Sequence, residues 1–437
     1  MRLHKAAWWL LDKEWRGLLA SISWWMLLLL MGPLVGVSFI SAMNTYAEVS
    51  AGEGEALSPL IGVWAPTFSA CELAAVFLLP FVAIRIVAGD RQSGALKLEL
   101  QRGMSPFVRI ATKAAVVLAG WLIAMLPPVS AILLWKFYGG STYAPELATL
   151  IGGHIINAGL TIAIGAAAAS VTEHPSTAAI VTLSVTVGTW IINFFAAIQG
   201  GFWERVAAYT PAAIVADFQH GLLKLDTVLI AVALTLTGLG LAAIWQVLGK
   251  PVRQRLYESA GLVAIAGVVI FGCTFARASW DTSESRGNSF PLADERALRS
   301  IRAPLKIVVH LAPEDPRRVD LEGHTLSKLR RVMPKLGVEY VASSSTGLFE
   351  QTKAGYGEVW YYYGGRSSSS RVTTVEGVLE SIYDITNVSL PKDVREPVFR
   401  GHPFSAPPTG AAAIFYVVWP VLTLLGALLV RRRYQSI

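Results

Sequence analysis

Eight long apolar segments constrain what this chain of 437 residues can fold into. An α-helix needs about 20 apolar residues to cross the hydrocarbon core of a bilayer. Segments of that kind lie near residues 22–42, 66–88, 110–135, 148–171, 177–199, 226–248, 258–277 and 412–430. Only 15% of the residues are charged and the mean hydropathy is +0.50, whereas soluble domains carry about 25% charged residues. The sequence therefore predicts a polytopic α-helical membrane protein with about eight transmembrane helices, and it excludes a soluble, disordered or disulfide-rich protein.

The distribution of positive charge predicts the orientation, because Lys and Arg collect in short loops on the cytoplasmic side. Four basic clusters lie at 2–16, 85–113, 250–255 and 431–433. If all eight segments cross the membrane, the four clusters fall on one side. The segment 43–64 has no Lys or Arg, carries Glu48, Glu53 and Glu55, and falls on the other side. Both termini are therefore predicted to be cytoplasmic, and the net charge of +7 indicates topology and not nucleic-acid binding.

Two shorter patterns lie at the cytoplasmic side of this arrangement. Residues 4–20 place apolar side chains at helical spacing opposite charged ones, which is typical of a helix lying in the membrane surface. The segment 90–106 is unusually apolar for a cytoplasmic loop, with Leu96 and Leu100 four residues apart between two glycines. Such a short helix either sinks into the bilayer surface or fills a socket in a soluble partner subunit, with Arg and Glu at the rim.

The segment 90–106 and its flanking residues resemble part of a known protein family. The run Ile86–Leu100, followed by Ser105-Pro106-Phe107 and Lys113, is similar to the coupling segment of type-2 ABC exporter permeases. Asp90 stands where that family has Glu, and Met104-Ser105-Pro106 reorders its usual Pro-x-Ser. The resemblance implies that residues 1–250 form a six-span permease domain with an N-terminal elbow helix and a coupling helix at 90–106. The residues implied to dock on an ATPase are Asp90, Arg91, Ser93, Gly94, Leu96, Glu99, Leu100 and Pro106.

The resemblance also implies the partners and the location. Two copies of the permease would associate with two copies of a separate ABC ATPase, which would bind ATP and Mg²⁺. The complex would lie in a bacterial inner membrane and contact membrane lipid, and no nucleic acid is expected. The chain itself is expected to hold no cofactor.

The C-terminal part resembles the auxiliary subunit of gliding-motility-type ABC transporters. The matching runs are Asp281–Ser283, Phe290–Leu292, Ala303–Leu311, Gly355–Tyr361 and Ser370–Leu379. The resemblance implies a permease fused to a shortened auxiliary part. It would comprise a linker and seventh helix at 251–280, an extracytoplasmic domain at 281–411, and an eighth helix with a basic tail at 412–437.

Residue patterns predict a small α/β fold for this outer domain. The predicted order is strand, helix, strand, strand and helix, at Lys306–Leu311, Leu321–Leu336, Val338–Ala342, Gly357–Tyr363 and Thr374–Ile385. The run Ser367–Ser370 beside Arg366 is expected to be a solvated hairpin tip, with a phosphate or sugar contact as the alternative.

Motifs for catalysis are missing from the sequence. It contains no Gly-x-x-x-x-Gly-Lys-Ser/Thr, no Gly-x-Ser-x-Gly and no His-Glu-x-x-His. We therefore expect no catalytic residue, no metal site and no hydrolysis by this chain, so that ATP-driven work would depend on a partner.

Four polar residues inside the apolar segments are candidates for a functional pathway, because polar groups are costly in the bilayer. They are Glu72, His154, Asn157 and Asn193. Glu72 and His154 lie at similar depth, so that they could pair. Hydrogen bonds between helices that fix the bundle are the favoured role for all four, and a substrate pathway is the alternative.

The sequence supports three functions. The first is the permease subunit of an exporter, whose outer domain recruits a substrate or an extracytoplasmic protein. The second is ATP-driven mechanotransmission to an extracytoplasmic partner or to gliding or envelope machinery, with no substrate passage. The third, a membrane enzyme using Glu72 and His154, has the least support because no nucleophile or metal set accompanies them.

Overall fold

The computed structural model describes residues 2–51, 58–100, 103–199, 202–312, 315–341, 355–389 and 399–435. Within them, eight helices are long and apolar enough to cross a membrane. In chain order, these spans 1 to 8 are Ile22–Ala51, Leu60–Gln92, Pro106–Phe137, Ala144–Val171, Pro175–Ala196, Leu225–Trp245, Val252–Cys273 and Ala411–Arg433. The prediction of a polytopic helical membrane protein is confirmed. Glu53, Glu55 and Arg102 lie outside the described residues.

The helices of the first half are α1 (Arg2–Leu19), α2 (Ile22–Ala51), α3 (Ala65–Phe77), α4 (Leu79–Gln92), α5 (Ala95–Leu100), α6 (Pro106–Ala124), α7 (Leu126–Phe137), α8 (Ala144–Val171) and α9 (Pro175–Gln199). Those of the second half are α10 (Phe202–Ala207), α11 (Pro211–Gln219), α12 (Leu225–Trp245), α13 (Val252–Cys273), α14 (Leu292–Ser300), α15 (Pro316–Asp320), α16 (Ser327–Val332), α17 (Val375–Thr386), α18 (Ala411–Ala413) and α19 (Trp419–Gln435). The strands are β1 (Leu222–Lys224), β2 (Ser279–Asp281), β3 (Leu305–Val309), β4 (Leu336–Tyr340), β5 (Val359–Tyr363) and β6 (Arg366–Ser370). Turns of π-helix lie at Leu60–Trp64, Leu321–Leu326 and Ile414–Val418.

The chain forms two compact units. The first comprises Met1–Ile191, Tyr209–Thr282 and Arg400–Ile437, and the second comprises Ile192–Ala208 and Ser283–Phe399. The first unit contains most of the span residues, and the second contains the four-stranded sheet.

Contacts within the first unit bring the ends of alternate spans together, one set at each end of the unit. At one end, which we call the basic end, Arg91 donates to the backbone oxygens of Ser170 and Thr172 at 2.7 and 2.8 Å, joining the ends of spans 2 and 4. At the opposite end, the Tyr46 hydroxyl donates to the His402 oxygen at 2.7 Å. There β1, which precedes span 6, also pairs antiparallel with β2, which follows span 7. These groupings are those that eight successive crossings require.

The second unit contains a sheet in the order β4-β3-β5-β6, with β3 and β4 parallel and the other pairs antiparallel. Apolar side chains of β3 and β5 pack with those of α17, and Ile307, Tyr361 and Ile382 are fully buried. The helix predicted at 321–336 begins with a turn of π-helix and ends at Val332.

The expected hairpin tip at Ser367–Ser370 is wrong. These serines lie in β6 and pair with Val359–Tyr362 of β5. The tip is instead Gly364-Gly365, whose positive φ angles of 54° and 82° favour glycine. Serine has little intrinsic preference for strands, so the pairing depends on the apolar and aromatic β5 beside it.

Candidate functional site

The candidate site is a group of six charged side chains at the basic end of the first unit, which we call the ion cluster. Its three cations and three carboxylates come from α1, from the end of α4, from α5 and from the start of α6. The members are Lys13, Glu14, Asp90, Glu99, Arg109 and Lys113. Formal charges balance, which is the condition under which buried charges are tolerated.

Lys113 lies at the centre of the ion cluster. Its Nζ contacts Glu14 Oε1 at 2.6 Å and also contacts Asp90 Oδ2. Glu99 Oε1 is 3.8 Å from the same nitrogen. The Lys113 residue is only 1% exposed. One ammonium therefore links α1, α4 and α5 to span 3.

Lys13 forms the outer side of the ion cluster. Its Nζ donates to Asp90 Oδ1 at 2.7 Å and to Glu14 Oε1 at 3.0 Å, and it also contacts Glu99. Burial alone would lower the pKa of Lys13, but hydrogen bonds to Asp90 and Glu99 outweigh it and raise the pKa above its ordinary value. Burial raises the pKa of the Glu99 carboxyl, and its lysine neighbours only partly offset that effect.

Arg109 extends the ion cluster to two further spans. Its Nε lies 4.0 Å from Glu99 Oε2, and its Nη2 donates to Gln246 Oε1 at 2.7 Å. Gln246, directly after span 6, donates from Nε2 to Ser170 Oγ of span 4 at 3.3 Å. A continuous polar path therefore runs from α5 through span 3 to the ends of spans 4 and 6.

The three carboxylates of the ion cluster also lie close enough together to ligate a metal ion. In this arrangement the space between them is used by ammonium groups, because Lys13 and Lys113 contact all three acids. An ion-pair network accounts for these residues.

The residues expected to dock on an ATPase differ in how far they are exposed. Asp90 and Glu99 face the ion cluster, and Leu96 is 6% exposed, so all three side chains point into the protein. Ser93 and Gly94 are exposed, and Gly94 has a φ of +74°. Arg91 and Pro106 are half-buried, and the side chain of Leu100 lies outside the described residues.

Glu72 and His154 form no hydrogen bond with each other. The Glu72 carboxyl group interacts with the side chains of Trp190 and Gln219. His154 is 1% exposed, its ring lies 5.4 Å from that of Phe68, and neither ring nitrogen has a hydrogen-bond partner among the described residues.

The two asparagines lie on different helices. Asn157 is buried in α8, three residues after His154, and Asn193 is half-buried in α9. A pathway role for the four polar residues stays a prediction.

In the sequence, Lys13 and Arg109 serve only as topology signals, and Lys113 also belongs to the run that resembles a coupling segment. No sequence pattern indicates Glu14 or Gln246. One signal was available: Lys113 lies three residues inside an apolar segment, where a cation needs a buried partner. The identity of that partner depends on where α1 and α5 lie relative to span 3. The spacing of residues in the sequence does not determine those positions.

No protein-family model, no curated protein and no solved structure matches this chain. The functional proposal therefore depends on the ion cluster and on the sequence pattern.

Proposed function

We propose that this chain is the membrane-spanning permease subunit of an ATP-driven type-2 ABC transporter that acts as an exporter. It would work as a dimer with two copies of a separate ATPase, in a bacterial inner membrane, with both termini cytoplasmic and 281–411 extracytoplasmic. The observation that carries the proposal is the ion cluster, which ties the 90–106 segment to α1 and to spans 2, 3, 4 and 6.

The ion cluster supplies a route for mechanical coupling. Separating one member of a buried ion pair from its partners costs about 3–5 kcal/mol. A partner that displaces α5 would therefore move Glu99 together with Lys13, Lys113 and Arg109. Through Gln246 the displacement reaches span 6, so that one push on a short segment re-orients several spans, as alternating access requires.

The same geometry divides the coupling segment into two faces. Asp90, Leu96 and Glu99 hold the segment to the bundle. The exposed turn Gln92–Gly94 is the part available to the ATPase. ATP and Mg²⁺ would be bound by that ATPase.

The test is to purify the full chain from its native host in mild detergent and to identify the proteins that copurify. We expect an ATPase subunit with a P-loop sequence whose hydrolysis is stimulated by the permease. Ser93→Glu places a charge on the exposed turn and should weaken copurification about tenfold, since an unpaired charge at an interface costs about 1.4 kcal/mol or more.

The matched control is Ala144→Glu, which adds the same charge at an exposed position of the opposite end. It should leave copurification unchanged. The proposal fails if no P-loop protein copurifies, or if the two variants weaken copurification equally.

Mechanotransmission is the second candidate, and the second unit favours it. Between spans 7 and 8 the chain forms a sheet with its own buried core, as a domain that receives force or binds a protein would. In reconstituted vesicles, ATPase stimulation by a small substrate would support transport. Stimulation only by an extracytoplasmic protein would support transmission.

A further inference from the structure

An apolar pocket lies at the basic end of the first unit, between the start of span 1 and the end of span 8. Its volume is about 440 Å³, within the range of 300–1,000 Å³ that is typical of ligand sites. The wall includes Leu19, Trp25, Leu29, Leu424, Leu428 and Arg431.

The packing of the two spans explains why the pocket is confined to this end. Further along span 1, Gly32 and Gly36 admit bulky side chains of span 8. A Cβ at Gly32 would lie 2.2 Å from Cδ1 of Trp419, and one at Gly36 would lie 2.6 Å from Cβ of Phe415. The Trp419 Nε1 also donates to the Leu28 oxygen at 2.7 Å. Spans 1 and 8 are therefore in close contact at these residues.

At the basic end a fixed indole forms one wall of the pocket. Trp25 Nε1 donates to the Leu19 oxygen at 2.7 Å, and its ring lies against Gly426, where an added Cβ would be 3.1 Å away. This hydrogen bond holds the wall in place without a ligand.

The residues that line the pocket indicate which kind of molecule it can bind. Among the described residues that line it, Arg431 is the only charged one, and the others are apolar apart from Thr423. Arg432 and Arg433 follow directly and are exposed. An apolar slot with a guanidinium at its mouth, at the depth where a span ends, matches one acyl chain below a negatively charged headgroup.

We propose that this pocket binds an anionic phospholipid, with one acyl chain between spans 1 and 8 and the phosphate paired with Arg431. Basic pockets between transmembrane helices recognise lipids by this combination of charge and apolar contact. A free phosphate would lack the acyl chain, and a zwitterionic lipid would lack the net negative charge.

The experiment is native mass spectrometry of the full chain in detergent, titrated with phosphatidylglycerol or phosphatidylcholine of matched acyl chains. The unsubstituted chain should prefer phosphatidylglycerol. Arg431→Gln should reduce that preference about fivefold, since loss of a direct ion pair between this guanidinium and the lipid phosphate costs about 1 kcal/mol. Arg432→Gln removes the same charge from a residue that does not line the pocket. It is the matched control and is expected to change the preference by less than about twofold, because it loses no direct ion pair.

A second substitution tests the acyl-chain contact. Ala427→Phe fills the pocket and should reduce binding of both lipids, while inorganic phosphate should not compete with either. If Ala427→Phe lowers the unfolding temperature, Leu428→Trp replaces it as the filling variant.

Three outcomes would overturn the proposal. Equal effects of Arg431→Gln and Arg432→Gln would show only diffuse attraction to the basic end. Unchanged lipid binding in both filling variants would place the lipid elsewhere. A loss of dimer in the filling variants with lipid binding retained would mean that a second copy of the chain occupies the pocket.

Discussion

At the residue scale, Lys113 is the side chain on which most of the ion cluster depends. Lys113→Met would leave the three carboxylates of the ion cluster with only Lys13 and Arg109, so that the cluster would lack one positive charge. Removing one partner of a buried ion pair costs about 3–5 kcal/mol of unfolding free energy. We expect that loss in SDS-titration unfolding of the detergent-solubilised chain.

Lys136→Met is the matched control for Lys113→Met. It makes the same substitution at an exposed position near the opposite end of span 3. We expect a change of less than about 0.5 kcal/mol, as is usual for surface positions. Equal losses in the two variants would contradict the central role of Lys113.

A second prediction concerns Glu72 and His154, which form no hydrogen bond with each other. His154→Leu should leave stability unchanged or raise it, because both ring nitrogens are buried with no partner among the described residues. Glu72→Leu should lower stability by about 1 kcal/mol, since Trp190 and Gln219 lose their polar interaction with the carboxyl group.

A double-substitution cycle decides whether the two side chains act together. Groups with no contact and no shared partner add to within about 0.5 kcal/mol, and we expect that result for Glu72 and His154. A larger interaction free energy, or loss of function in both single alanine variants, would restore the membrane-enzyme hypothesis.

At the element scale, Asp315 links the start of α15 to the loop before β5 in the second unit. It accepts from the Arg317 backbone at 3.0 Å as the N-cap, and from the Tyr356 hydroxyl at 2.8 Å. The hydrogen bond from the Arg317 side chain holds the pKa of Asp315 below its ordinary value, and the Tyr356 hydroxyl adds to that effect.

The lowered pKa predicts a pH dependence with a definite sign. An acid whose pKa is lower in the folded state stabilises the fold above its ordinary pKa, about 3.9, and that contribution is lost as the pH falls through the folded pKa. Asp315→Asn keeps a capping side chain but should abolish this acid-dependent loss. Asp315→Ala should also lose the cap, about 1 kcal/mol.

Hydrogen exchange of the full chain at pH 3 to 7 measures both effects in peptides that cover 316–332. Faster exchange in Asp315→Ala than in Asp315→Asn at pH 7 is the expected result. An identical pH profile for Asp315→Asn and the unsubstituted chain would contradict the role of the carboxylate.

Elements differ in how far the sequence predicts them. The eight spans follow from apolar length alone, because backbone groups in a bilayer must be satisfied within a helix. Strand β6 was missed because its serines carry no strand signal and its pairing with β5 is a tertiary effect. The burial of Leu96 was not predicted, for a similar reason. Two apolar residues four positions apart indicate one face of a helix, but they do not indicate which part of the protein packs against that face.

At the scale of the whole molecule, the positive charges divide into a buried set and an exposed set. Among the described residues, the cations that indicated a cytoplasmic side lie at one end of the first unit, and buried carboxylates neutralise some of them. The net charge of +7 is thus partly an internal structural feature and partly a surface one. Lys113 belongs to the internal set, whereas Arg432 is exposed.

The last prediction tests the sidedness of this arrangement by cysteine labelling in intact cells. Cys71 is buried and Cys273 is half-buried, so Cys71→Ala and Cys273→Ser provide a background without native thiols. In that background Ser93→Cys and Arg432→Cys should resist an impermeant maleimide until the cells are opened. Ala144→Cys and Ser367→Cys, also exposed, should be labelled in intact cells. Labelling of Ser93→Cys from outside, or protection of Ser367→Cys, would overturn the proposed orientation, because Ser93 follows two crossings and Ser367 follows seven, which places them on opposite sides of the membrane.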